Sequence, residues 1–247
     1  MVRLLIVLAL LTSSPLSAQL ERLEVYTGGQ IGAFTLTPQF GLSTLDINYG
    51  LFRPDGPDPE ASGVIGLRTD WRLLGNFGVL AGADYGTTTL YFEILDAREQ
   101  WRLFPSSRAV SFRAGQVDLL FLPRYTLSGQ DFSLSLAAGV GYSIYGSDDR
   151  VLYTGVDEDP DPRYYRNVNR IQRNIGANAW RYALNLRAGY RRFGLNLGYR
   201  RDFTSLLAGS LPLDIPEQRM ALSVRTYSLR ATVSYALVYL RPRADRH

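Results

Sequence analysis

The sequence predicts an all-β protein: an antiparallel up-and-down transmembrane β-barrel of eight strands, with ten as the alternative count. Three observations carry this. Apolar residues recur with a period of two over most of the chain, the spacing of strands rather than helices. The connectors between these runs alternate long and short. The non-apolar parity holds Gly, Ala, Ser and charges of both signs, not the long solvated side chains a soluble sheet turns to water.

The N-terminus reads as an export signal over residues 1–18, leaving 19–247 as the barrel domain. Arg3 precedes an apolar run from Leu4 to Leu11, then small residues from Thr12 to Ser17, with cleavage expected after Ala18. The run is too short for the ~20 residues of a membrane helix. The chain has no Cys, so neither a disulfide nor a lipid-anchoring thiol is available. All 27 basic residues are Arg. Planar guanidiniums suit confined ion pairs better than ammoniums do, although base composition of the gene also biases Arg over Lys.

Between Val25 and Asn48 at least one strand is required. Gly28, Gly29, Gly32 and Pro38 blur its parity, and its centre is placed at Ile31 to Thr37. Ala61 to Leu73 alternates Ile65, Leu67, Thr69, Trp71 and Leu73 against Val64, Gly66, Arg68, Asp70 and Arg72. A tight turn at Leu74-Gly75-Asn76 leads to Phe77–Tyr91, where Gly78, Leu80, Gly82, Asp84 and Gly86 share a face. After a polar connector, Ala109–Leu127 sets Val117, Leu119, Phe121, Pro123 and Tyr125 against Gln116, Asp118, Leu120, Leu122 and Arg124. Ser128-Gly129-Gln130 marks a short turn. Phe132–Ile144 follows, then the longest connector, 146–177. Trp180–Phe203 forms a hairpin about Arg191-Arg192, and Tyr227–Tyr239 closes the set.

Short turns at one end and long excursions at the other are the rhythm of membrane barrels. Small residues on one parity leave room in a narrow lumen, since a barrel of ~8 strands is filled by its own side chains. The charges on that parity form a candidate lumen network: Arg68, Asp70, Arg72, Asp84, Asp118, Arg124, Arg181, Arg187, Arg200, Asp202 and Arg230. Buried singly they would be costly, so they must pair. The other parity carries Trp, Tyr or Phe near strand ends, among them Trp71, Phe132, Tyr142, Trp180, Tyr190, Phe193, Tyr199, Tyr227 and Tyr239, as an interfacial girdle would.

Over the whole mature chain this pattern resembles the small outer-membrane β-barrel domain proteins, the OmpA-like and PorT-like eight-stranded group. "VDLLFLPRYTL", Val117 to Leu127, is similar to a Pro-containing strand of the PorT-like members. The resemblance implies Gram-negative outer-membrane residence and no single activity.

Chemistry is sparse. His247 is the sole histidine and lies in the tail, so no imidazole base is placed in the barrel. No catalytic residue, cofactor or metal is expected; "DEDPDP", Asp157 to Pro162, reads as a solvated acidic loop. The arginines are spread over strands, which argues against nucleic acid. Arg163, Tyr164, Tyr165, Arg166, Arg170 and Arg173 in the long connector could meet lipopolysaccharide or another surface ligand. The expected protein is a monomeric, non-enzymatic barrel with a plugged lumen, in contact with outer-membrane lipid. Its structural or surface-interaction role would lie in loops 50–62, 146–177 and 204–220. The alternatives are a small-solute channel or His-independent enzyme, and a soluble secreted lipid carrier.

Overall fold

In the computed structural model the described residues are 19–39, 47–48, 60–95, 107–148, 152, 163–176, 178–207 and 221–240. The export signal, the acidic stretch 157–162 and His247 lie outside them. Eight long strands run β1 Gln19–Gln39, β3 Glu60–Leu74, β4 Phe77–Leu95, β5 Ser107–Ser128, β6 Phe132–Asp148, β7 Asn178–Tyr190, β8 Phe193–Asp202 and β9 Ala221–Tyr239. A two-residue strand, β2 Ile47–Asn48, pairs with Ile94 and Glu93 of β4 at the loop end. Every neighbouring pair is antiparallel. β1 meets β9, and β4 meets β5, so the sheet closes on itself with no free edge among the long strands.

The start of β1, the end of β9 and the three tight turns share one end. At one turn Gly75 takes φ +53°; at another Arg191 takes φ 51°, a left-handed conformation unusual for a side chain with a Cβ. Across the β5–β6 turn, the amide of Gly129 donates to the Phe132 carbonyl at 2.7 Å. All the long connections lie at the opposite end.

Two elements differ from the sequence expectation. The first strand spans Gln19–Gln39, so it begins before the expected segment and is centred on Gly29 rather than on Ile31 to Thr37. Register shifts at Leu20/Arg22 against β3 and at Leu23/Glu24 against β9 put consecutive residues Glu21 and Arg22 on the inside. A bulge of this kind erases the period-two signal over the stretch that carries it. The connector 146–177 is also not all loop: β6 extends to Asp148, and α1 spans Arg163–Asn174. Tyr164, Val168, Ile171 and Ile175 recur at helical spacing and could have signalled it. Ile171 is buried, and Ile175 bridges Leu207 at the loop end. Loop 50–62 is likewise shortened, because β3 starts at Glu60.

Candidate functional site

The outer face is apolar on every long strand. Ile65, Leu119, Phe121, Leu136, Leu184, Leu197, Leu229 and Val233 are exposed, while their sequence neighbours Val64, Asp118, Leu120, Leu122, Ala137, Ala183 and Arg230 are buried. A continuous belt of this size has no place in water. It also disposes of the soluble lipid carrier, whose polar parity would be outside.

Two rows of rings frame the belt. At the turn end Phe77 meets Tyr125 (5.0 Å), Phe132 meets Tyr190 (4.8 Å) and Phe193 meets Tyr235 (5.3 Å). At the loop end Tyr142 meets Trp180 (4.9 Å) and Tyr182 meets Phe203 (4.7 Å). Along β6 the rows are Phe132 and Tyr142, about 34 Å apart at ~3.4 Å per residue. A tilt of ~40° reduces this to about 26 Å, close to the ~25 Å band of outer-membrane barrels. Fold and surface together make this a transmembrane β-barrel of the outer-membrane type.

The lumen is ionic. Near the turn end, Glu21 accepts from Arg72 Nε at 2.6 Å and from Arg124; Arg124 also stands 3.5 Å from Asp70, whose carboxylate makes no hydrogen bond. One layer up, fully buried Glu24 accepts from Arg68 Nε at 2.8 Å, Arg68 Nη2 at 2.5 Å and Arg187 Nη2 at 2.5 Å, with Arg22 at 3.9 Å. Asn196 Oδ1 holds Arg68 from the far wall at 2.6 Å. Toward the loop end, Asp84 and Asp118 bind a shared set of guanidiniums. Arg230 bridges both carboxylates at 2.6 Å each. Arg200 chelates Asp84 at 3.0 and 2.5 Å and also donates to Asp118. Arg181 donates to Asp118 at 3.1 Å and through Nε to Asp202 at 2.8 Å. Tyr26 donates to Asp84 at 2.7 Å, and Ser143 donates to Asp118.

All eleven residues singled out from the sequence lie on the inner face, with Arg72 half-buried and the others buried. The structure brings them into three clusters, not one. Sequence reading missed Glu21, Arg22 and Glu24, hidden by the bulged start of β1, and the neutral partners Tyr26, Ser143 and Asn196. It looked to Asp residues for the partners of Arg187; the partner is Glu24.

Glycine makes the space. A Cβ on Gly66 would lie 2.5 Å from the Tyr26 ring and 2.6 Å from Asp84 Cβ. A Cβ on Gly194 would lie 2.8 Å from Arg187 Nε. The wall is thinned where the large polar groups fold across it. A small apolar cluster, Leu80, Leu120, Leu122, Ala137 and Ala183, fills the remaining inner wall. A cavity of about 20 Å³ lies between the Glu24 and Asp84/Asp118 clusters, and another of about 20 Å³ lies on the loop side of Asp118 among Gln30, Ser62, Gln116 and Thr226, each with room for about one water.

No family model matches the chain, and no curated protein does. Solved structures similar in outline include the outer membrane protein OprG from Pseudomonas aeruginosa, at 11% identity, covering 88% of this chain and 96% of that one, with a TM-score of 0.44. The attachment invasion locus protein Ail of Yersinia pestis, in complex with the heparin analogue sucrose octasulfate, is 11% identical over 89% of this chain and 100% of its own, with a TM-score of 0.38. The outer membrane enzyme PagL is 12% identical over 85% and 97%, with a TM-score of 0.33.

Proposed function

We propose that the protein is a non-catalytic outer-membrane barrel, monomeric, that acts as a structural or surface-interaction element through its long loops. The observation that carries this reading is the lumen. Six carboxylates (Glu21, Glu24, Asp70, Asp84, Asp118, Asp202) lie among eight guanidiniums in three interlocked layers. The described cavity between two of the layers, and the one on their loop side, are each water-sized. Such a lumen is a filling, not a passage. Nor does it favour acid–base chemistry: five of the six carboxylates accept hydrogen bonds from guanidiniums, and Asp70 is fully buried beside Arg124. A carboxylate held in this way is a poor base. Recognition is left to the loop end, where α1 carries exposed Arg166, Arg170 and Arg173. These could engage anionic surface groups such as lipopolysaccharide.

Planar-bilayer recording of the purified protein tests this. The expected trace shows no stable open level. Reproducible single-channel steps would replace this reading with a small-solute channel.

A further inference from the structure

The lipid-facing surface is not uniform. A groove of about 540 Å³ crosses β7, β8, β9 and β1 on the outside. It follows two neighbouring rungs of the sheet. One is Leu184–Tyr199–Leu229–Ile31, and the other is Leu186–Leu197–Ala231–Gly29. The small residues Gly29, Ala61 and Ala231 deepen it, and Leu197, Tyr199 and Leu229 flank it. Within the apolar belt the surrounding solvent is hydrocarbon, so a dent across β7, β8 and β9 has the shape and chemistry to seat an acyl chain. A chain seated in a fixed groove has a fixed azimuth, and its headgroup meets whatever lies on the loop side of its β7–β9 part.

What lies there is basic. The next rung toward the loops is Tyr182–Arg201–Tyr227, with Arg201 exposed on the outer face. Arg225, also exposed, is two residues further along β9 from Tyr227. That places it about 7–8 Å from Arg201 across the diagonal of the pair. Among the described side chains, the outward face of the strands carries no carboxylate at all, and Arg201 has no ion-pair partner there. Among the described side chains, the strand face of a second copy would bring no anion to Arg201. A lipid phosphate would.

We propose that the groove and Arg201, assisted by Arg225, bind one phosphorylated lipid of the loop-side leaflet, its acyl chain lying along Leu197 and Leu229 and its phosphate on the guanidiniums. The pairing is charge-assisted and, for a phosphate on Arg, can be bidentate. The site rests on the membrane reading. A protein that never enters a detergent micelle overturns that reading. A micelle-embedded barrel without the lipid overturns only the site.

The test titrates diphosphoryl lipid A into the micelle-embedded protein and counts retained copies by native mass spectrometry. One copy is expected on the wild type. Arg201→Gln should lower its retention about fivefold, the effect of one arginine at an anionic surface. Ala231→Phe, which fills the groove from a lipid-facing position, should lower it as well. Arg191→Gln, which removes an exposed charge from the opposite end, should not. Heat-modifiable gel migration confirms that each variant is folded. The proposal is overturned if Arg201→Gln retains lipid like wild type or if Arg191→Gln loses as much. It also fails if dephosphorylated lipid A is held equally well, or if Ala231→Phe abolishes a dimer instead of a lipid adduct.

Discussion

Replacing Glu24 by Leu should be among the most damaging single changes in the lumen. The Glu24 side chain has no solvent exposure and takes three hydrogen bonds from two guanidiniums at 2.5–2.8 Å. Without it, Arg68 keeps Asn196 at 2.6 Å and Ser234 at 3.3 Å, but Arg187 keeps only Ser133 at 3.2 Å. Arg187 Nε already lacks a partner. Three buried cations, Arg22, Arg68 and Arg187, would then face one another with no carboxylate in their layer. Breaking a buried pair from one side costs about 3–5 kcal/mol, a large share of the ~5–15 kcal/mol that holds a typical fold. The assay is urea unfolding in lipid vesicles followed by tryptophan fluorescence, with heat-modifiable migration as a second readout. The triple variant Glu24→Leu/Arg68→Met/Arg187→Met removes two of the three orphaned cations, the two that bond Glu24 directly, and should recover at least half of the loss. If Glu24→Leu alone costs less than about 1 kcal/mol, water screens the layer and the lumen is not the dry ionic filling described above.

Two further outcomes follow from the same geometry. Leu136→Arg, facing lipid midway between the ring rows on β6, should cost about 2–4 kcal/mol in vesicle unfolding, whereas Phe132→Arg at the turn-end row should cost about 1 kcal/mol or less; equal costs would misplace the membrane. Gly66→Ala sets a methyl 2.5 Å from the Tyr26 ring and should shift Tyr26 off Asp84, lowering the temperature at which the compact gel band is lost, and an unchanged temperature would mean that the wall yields there.

Strand parity was legible wherever a strand was regular. Asp118 between Val117 and Leu119, or Arg187 between Leu186 and Ala188, faces inward for no other reason than the pleat. Legibility failed where backbone irregularity or long-range geometry decided. The bulges near Leu20 and Leu23 put Glu21 and Arg22 on one side, and nothing local in the sequence announces a bulge. Pairing across the lumen was beyond reach for another reason. Glu24 and Arg187 are 163 positions apart, and which inward charges meet depends on the stagger of a closed barrel. The alternation gives a residue's face but not its height. Tyr26, Ser143 and Asn196 were missed because neutral polar residues on an inner face carry no signal beyond parity.

The ionic lumen also accounts for how such a chain chooses its register. In a soluble sheet, a slip of one residue drags the apolar face into water, and that cost sets the pairing. Here the alternative to the lumen is hydrocarbon, so turning Leu184 or Leu186 inward would gain or lose little, because lipid is as apolar as leucine. The penalty must come from the other parity. A one-residue slip of β7 turns Arg181 and Arg187 into the bilayer, at about 2–4 kcal/mol for each near the midplane and less toward the interfaces. The same slip strips Asp118, Asp202 and Glu24 of donors. Similar groups stand on β3, β8 and β9, in Arg68, Arg200 and Arg230. A net excess of two guanidiniums, eight against six carboxylates among the described residues, costs some stability that an apolar filling would not. An apolar filling, however, would make the two faces alike and leave inside and outside undefined. The charges of the lumen therefore act first as the code that tells each strand which way to face, and their bonds hold the answer once the barrel has closed.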